Sequence, residues 1–383
     1  RNLGFQGKET RLFKRYPHPP FTADANDIRS REDQKGPDPE AGPAPTTALE
    51  IRQMRRAEAV EVSRCFFDVY GYTYFHEHVY FPDRLAALNE SGELFSAVAV
   101  TAEGEVASHA ALSFSRFYPG ISELCMGATK RKFQGQGLTQ KLNTALFEEA
   151  LKRNLTGIFS ETVTVHTRSQ RLVRQFSFRE TAFFLAYLPA HMSFRGIADD
   201  VANRVSLLVC FYFLNPVAGT SRRLHAPAAH EAIIREIYAR FGIEATAPPP
   251  AGDAFPARPT QMEMTVNNVS ALAMVRFSSY GDDIDARIRE VLYRVKHQGL
   301  LTVHLCLNLE DPLTPRVSEM LERYGFIFTG VVPGVTGGDL VSFQYFNGIV
   351  VDYDAVQVDS EMGRALLDYI RRHDFLGRSN GAF

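Results

Sequence analysis

The 383-residue sequence predicts an α/β protein. Three observations carry that class. Short apolar runs with strand-like alternation recur between segments whose apolar residues fall at helical spacing. A Gly-rich turn, Ala128-Thr-Lys-Arg-Lys-Phe-Gln-Gly-Gln-Gly-Leu-Thr139, sits between an apolar strand-like run and a helical pattern. After Pro189 the order of elements begins a second time.

The elements follow in order. Residues 1–47 are rich in charge, Pro and Gly and read as an extended arm without a core. Their opening, Asn2-Leu-Gly-Phe-Gln-Gly7, resembles an altered protease-site tag. Leu49–Met54 alternates like a strand, and Arg56–Tyr70 carries Ala59, Val62, Cys65, Phe66 and Val69 in helical phase. Pro82 opens a second helix that Gly92 helps end. Phe95–Thr101 and Val106–Phe114 read as a hairpin, and Ile121–Ala128 as the strand entering the Gly-rich turn. Helix Gln140–Asn154, strand Gly157–Val165, helix Arg168–Phe176 and a strand after Phe178 follow. In the second half, strands are expected at Arg204–Leu214, Gln261–Val266, Ala271–Phe277, Leu301–Leu307, Phe326–Val332 and Leu340–Phe346. Helices are expected at Ala229–Phe241, Ile284–His297, Pro315–Arg323 and Glu361–Arg371, with an exposed linker at Ala245–Pro259.

A Gly-rich turn that opens a helix presents unpartnered backbone N–H groups and the positive end of the helix dipole, which suits phosphate oxygens. Gly135 and Gly137 let a ligand approach the backbone closely, and Lys130, Arg131 and Lys132 add positive charge upstream. Two glycines alone would equally describe a tight connection without a ligand. The wider pattern adds to them. Gln134-x-x-Gly137-x-Thr139 between a strand and a helix resembles the pyrophosphate loop of the GNAT acyltransferases, with Thr139 in place of the usual final Gly or Ala. The resemblance covers roughly Ala48–Leu188.

Leu301–Leu307, Pro315–Arg323 and Gly325-Phe326 parallel Gly157–Val165, Arg168–Phe176 and Ser177-Phe178, so the chain reads as a tandem pair of GNAT-like domains with mixed, mostly antiparallel sheets flanked by helices. The expected division is an arm at 1–47, an acyl-coenzyme A-binding domain at 48–190 and a degenerate second domain at 191–375. The second copy lacks the loop. Its counterpart, Ser278–Asp285, carries Asp282, Asp283 and Asp285, which suit a helix N-terminus but repel pyrophosphate. One coenzyme site per chain is therefore expected. It would hold acetyl-coenzyme A or another acyl-coenzyme A on Met126, Gly127, Ala128, Lys132, Gln134, Gly135, Gln136, Gly137, Leu138 and Thr139.

Acyl transfer to an amine needs a base, an oxyanion donor and a proton for the departing thiolate. The resemblance points to Glu123, on the strand before the loop, as base, with His109 and Glu161 as further candidates. A backbone N–H in Met126–Ala128 would polarise the thioester carbonyl. The tyrosine the family carries in the short helix before Gly-Phe is replaced here by Val173, and that glycine by Ser177. Tyr72, Tyr74, His76 and His78, between the first two helices, are candidates for the acceptor wall. His76-x-His78 has no third ligand nearby in sequence, so no metal is expected. The leading reading is an acyl-coenzyme A-dependent N-acyltransferase acting on a small-molecule amine; the rival is a non-catalytic acyl-coenzyme A sensor.

A formal net charge of −2 gives no reason to expect a nucleic-acid surface. The longest apolar run, Val205–Leu214, is too short to span a bilayer. Cys65, Cys125, Cys210 and Cys306 lie far apart in apolar runs and read as reduced thiols, in keeping with a cytoplasmic location. An oligomer is left open.

Overall fold

A computed structural model describes residues 48–189, 203–217, 219–249, 252 and 254–374. The arm expected at 1–47 and the boundary expected at 190 lie outside the described residues. The described residues form one compact unit.

Its frame is one continuous sheet. The first half contributes β1 (Leu49–Gln53), β2 (Leu94–Thr101), β3 (Val106–Ser113), β4 (Ile121–Thr129), β5 (Gly157–Val163), β6 (Arg179–Leu188) and β7 (Val205–Phe213). The second contributes β10 (Gln261–Asn267), β11 (Leu272–Ser279), β12 (Thr302–Asn308), β13 (Ile327–Val332) and β14 (Leu340–Phe346). The strand order is β1-β2-β3-β4-β5-β7-β6-β13-β14-β12-β11-β10. Neighbours pair antiparallel except β4–β5 and β11–β12, which are parallel. A short parallel pair, β8 (Ser221–Arg223) with β9 (Glu244–Thr246), forms a second sheet. The linker expected at Ala245–Pro259 thus begins as a strand, with Ala245 buried.

Helices α1 (Ala59–Tyr70) and α2 (Pro82–Ser91) cover one face of the β2–β4 region; α3 (Leu138–Lys152) covers the other. Strand alternation sorts the contacts. Val98 and Ala111 pack with Val62, Phe66 and Leu85 of α1 and α2. Their neighbours Ala97 and Ala110 pack with Leu142, Leu146 and Ala150 of α3. Pro82 stands at the start of α2, and Gly92 ends it in the left-handed conformation, φ +77°. Helix α4 (Arg168–Gln175) links β5 to β6, α5 (Glu231–Ala239) packs on β9, and α6 (Ile284–His297) joins β11 to β12. Helix α7 (Thr314–Arg323) joins β12 to β13, and α8 (Glu361–His373) closes the described chain against β13 and β6.

The two halves run in mirrored order about the β6–β13 seam. The sequence β4-β5-β7-β6 on one side corresponds to β11-β12-β14-β13 on the other, each with one parallel pair bridged by a helix. Strand β7 follows the expected boundary at 190, yet pairs on both edges with β5 and β6. Ser177 and Gly325, one residue beyond the helix C-caps at Phe176 and Tyr324, both take positive φ, +64° and +87°. Ser177 therefore adopts the backbone that the expected glycine would take more readily.

The seam is narrow. Its single recorded register pair is Gly330 with Ala182. A Cβ at Gly330 would lie 2.4 Å from both Ala182 Cα and Thr181 O, so only glycine fits. Beyond that pair, buried Gln344 takes over the ladder. Its Oε1 accepts from Leu185 N–H at 2.7 Å and its Nε2 donates to Leu185 O at 3.1 Å.

Candidate active site

The site begins where β4 breaks its own ladder. Pairing with β3 shifts register between His109 and Ala111, and Met126 takes φ +57°. This is a β-bulge, one extra residue on β4, and bulges re-aim the backbone. Three side chains fix the carbonyls of the bulge. Met126 O lies 2.8 Å from His109 Nδ1, Tyr70 OH donates to Gly127 O at 2.7 Å, and Ser108 Oγ donates to Ala128 O at 2.9 Å. Gly127 is exposed, with open space where a Cβ would stand.

On the other edge, β4 pairs with β5 only from Ile121 to Glu123. Past Glu123 the ladder ends, and Ser160 Oγ donates to Leu124 O at 3.0 Å at the fork. The cleft that opens there lies between two parallel strand ends, where α/β folds place ligands.

At its rim lies the Gly-rich turn. A single turn of 3-10 helix, Arg131–Phe133, leads to Gln134. Gly135 and Gly137 follow with φ +80° and +68°, and Gly137 caps α3. The first helical backbone bond runs from Lys141 N–H to Gly137 O, so the N–H groups of Leu138, Thr139 and Gln140 precede it. A Cβ at Gly135 or Gly137 would meet no protein atom within 4 Å. The glycines are therefore required by backbone angle, and the space before them is open to a ligand.

Of the three upstream cations, two are engaged by carboxylates and Arg131 is exposed. Lys130 is buried and ion-paired to Glu105 at 2.9 Å and Asp68 at 3.4 Å; Lys132 is paired to Glu105 at 2.8 Å. Their charge is partly offset locally, and Arg131, exposed beside them, and the α3 N-terminal amides are the remaining groups suited to an anion. Gln134 donates through Nε2 to Thr129 O at 3.3 Å, tying the turn back to the end of β4.

The floor of the cleft holds two carboxylates. Glu123, on β4, is pushed up to about 7 by burial. Glu161, on β5, is raised well above the usual range, first by burial and then by the Glu123 charge. Like charges in a poorly solvated site cannot both ionise, so at neutral pH the pair shares a proton. Burial, then Glu161 and Glu123, raise the Tyr187 hydroxyl, which donates to Met274 Sδ at 3.9 Å. A second bulge, in β6 between Phe184 and Leu188 with Ala186 at φ +46°, precedes this tyrosine. Alternation alone does not single out Tyr187; an aromatic hydroxyl in the run Phe183-Phe-Leu-Ala-Tyr187 is its only sequence signal.

The segment between α1 and α2 covers the cleft. Tyr74 and His76 lie among Phe66, Phe75 and His78, with ring centroids 3.8–5.8 Å apart in successive pairs. Tyr74 is raised by burial and by its neighbours Tyr70, Cys125 and Glu123. Burial lowers His76 to about 3 and His78 to about 4, so both rings are neutral at physiological pH. His78 Nε2 lies 3.3 Å from Met126 Sδ. Tyr72 is more peripheral, 57% exposed and packed on Phe67 and Tyr80. His109, expected to face the cleft, is fully buried with its ring against Phe66 and its Nδ1 on the bulge. That placement holds the ring on the bulge carbonyl, with Nε2 buried and without a hydrogen-bond partner. Cys125 is raised well above its ordinary value by burial, Glu123 and Glu161, so it remains a thiol at neutral pH. Val173, where the expected tyrosine is missing, is buried in the core.

The second half reaches the site through the β3–β4 connection. Tyr118 OH and His304 Nε2 on β12 share a hydrogen bond at 2.8 Å, Arg276 donates to Phe117 O at 2.8 Å, and Thr336 N–H donates to Pro119 O at 2.7 Å. These contacts fix the entry to β4 only a few residues before Glu123.

Residues 58–178 match the family model described as the acetyltransferase (GNAT) family. No curated protein matches the chain. Among solved structures, it is similar to the ribosomal-protein-S5-alanine acetyltransferase of Vibrio fischeri, at 14% identity over 44% of this chain and 93% of that one, TM-score 0.35. It is similar at 15% identity, with TM-score 0.35, to a GNAT superfamily phosphinothricin acetyltransferase of Sinorhizobium meliloti in complex with AcCoA, over 44% of this chain and 89% of that one. The ribosomal-protein-S18-alanine N-acetyltransferase of Escherichia coli matches at 15% identity, over 44% and 95%, with TM-score 0.35. Among the described residues no helix is long and apolar enough to cross a membrane.

Proposed function

We propose that this protein transfers an acyl group, acetyl first among them, from coenzyme A to an amine acceptor. The observation that carries the reading is the forked β4–β5 edge with two coupled carboxylates at its floor and an open, glycine-lined helix N-terminus at its rim. The pyrophosphate would rest on the amides from Gln134 to Thr139. The acyl-pantetheine would enter the fork, with a backbone N–H of the bulge polarising the thioester carbonyl. Glu123 takes a proton from the amine, directly or through water. The nitrogen attacks the carbonyl, the C–S bond breaks, and the coenzyme thiolate receives a proton. Tyr187 stands in for the absent helix tyrosine as its donor, and Glu161 holds the proton that keeps the second carboxyl neutral. Because Cys125 stays a thiol, direct attack is favoured over an acyl-cysteine intermediate.

Tyr74, His76 and His78 form the acceptor wall in this reading. We read the chain as a tandem pair in which the first unit, expected at 48–190, extends through Val205–Phe213, and the mirrored strand order supports a tandem origin. The second unit then acts as a buttress for the β3–β4 connection. The buried Val173 is the observation that keeps the sensor reading in play. The two separate at Glu123→Gln. In a transferase this change slows thiol release over an amine panel while acetyl-coenzyme A still binds. A sensor binds the coenzyme and releases no thiol with any amine.

A further inference from the structure

The fold brings together donors that the sequence keeps far apart. His76, in the α1–α2 connection, meets Glu123 and Cys125 of β4, and one ligand atom from each lies within 4.8 Å of the other two. Among the described residues this is the only such group. Glu123 and Cys125 reach it because residues i and i+2 of a strand share a face. A second observation marks the spot. His76 Nε2 is buried without a hydrogen-bond partner, one of seven such side-chain atoms among the described residues and the one that belongs to this group. The ring is held by Phe75 at 3.8 Å and flanked by His78 at 5.3 Å between centroids, so its position is set by packing.

We infer that His76, Glu123 and Cys125 form a binding site for a zinc-class divalent cation. The donor set selects the ion. A thiolate excludes Mg2+ and Ca2+, whereas imidazole, carboxylate and thiolate together suit Zn2+. Three protein ligands with one open position is also the coordination of reactive zinc sites. Donors about 2.0–2.3 Å from one ion stand about 3.3–3.8 Å apart in a tetrahedron, within reach by side-chain rotation from the present spacing. Binding displaces one proton from Cys125 and forms Zn–N, Zn–O and Zn–S bonds, with no redox change. The ion also engages the Glu123 carboxylate. On the reading of Glu123 as base, Zn2+ therefore switches the transferase off at its acceptor side while the coenzyme turn, on another part of the cleft, stays available.

The test uses the full chain, stripped with a chelator and titrated with Zn2+ against a chromophoric chelator, with Co2+ absorption in parallel. One equivalent of Zn2+ should bind, and bound Co2+ should show thiolate charge-transfer absorption. Cys125→Ser should abolish that absorption, and His76→Ala should weaken Zn2+ binding at least about tenfold. Cys65→Ser, which alters a cysteine outside the group, should leave both unchanged. Retained acetyl-coenzyme A binding in each variant shows that it has folded. Zn2+ binding that is absent, or unaltered by Cys125→Ser and His76→Ala, overturns the site. A site that binds as expected in a protein whose thiol release ignores Zn2+ overturns only the switch. A protein that binds Zn2+ but never turns over removes the transferase reading and leaves the site.

Discussion

Gln344 offers the sharpest test of how the two halves are joined. The β6–β13 pairing is confined to Gly330 and Ala182, and the Gln344 side chain continues it by bonding both the N–H and the C=O of Leu185. All three groups are buried. Gln344→Leu keeps the volume but leaves Leu185 with an unpaired donor and an unpaired acceptor. An orphaned buried polar group costs about 1–3 kcal/mol, partly offset by the apolar replacement, so the net loss should be about 2–4 kcal/mol. Urea unfolding followed by tyrosine fluorescence and circular dichroism would read it. The midpoint should fall at an unchanged slope, in one transition for both probes, because the sheet is continuous across the seam. A loss below about 0.5 kcal/mol would refute the bridging role. Two separate wild-type transitions would refute the claim that the halves fold as one unit.

Other consequences follow from the same geometry. Gly330→Ala should destabilise by at least about 2 kcal/mol, since its methyl would meet Ala182 Cα and Cβ and Thr181 O; the same urea assay checks it. Burial lowers His304 to about 3 and His109 to about 4. Below pH 6.5 the unfolded chain takes up protons that the folded one refuses, so stability is lost as pH falls from about 6.5 toward those values. Each should remove about 2 kcal/mol between pH 7 and 5, and His304→Asn should flatten that limb by its share. In chelator, 13C NMR of labelled glutamate should show two carboxyls titrating far above the usual range; Glu123→Gln should lower the Glu161 transition by removing the neighbouring charge.

Much of the fold was legible because it is local. Every long strand and helix expected from alternation or helical phase is present among the described residues, and punctuation by Pro82 and Gly92 reads directly. The Gly-rich turn was equally readable, since its chemistry resides in consecutive amides. What escaped depends on contacts distant in sequence. Nothing near Lys130 and Lys132 foretells that Glu105, on the preceding hairpin, occupies both. His109 sits in a strand that looks able to face the cleft, and a one-residue bulge decides otherwise. Tyr187 gains its neighbours only when β6 is laid beside β7, one strand away from β5. The sequence shows no third candidate ligand near His76-x-His78; in space, donor atoms of Glu123 and Cys125 on β4 lie within 4.8 Å of a His76 ring nitrogen. Strand β7 reads as the start of something new because sequence order hides that it lies between β5 and β6.

The most direct test is calorimetric titration of acetyl-coenzyme A into the wild-type chain beside Gly137→Glu. That substitution places a carboxylate in the open space before the α3 amides and strains a left-handed position. One binding site per chain is expected in the wild type, with a loss of at least about a hundredfold in the variant from charge repulsion and a filled cradle. Equal binding by both proteins, or none by the wild type, would contradict that expectation.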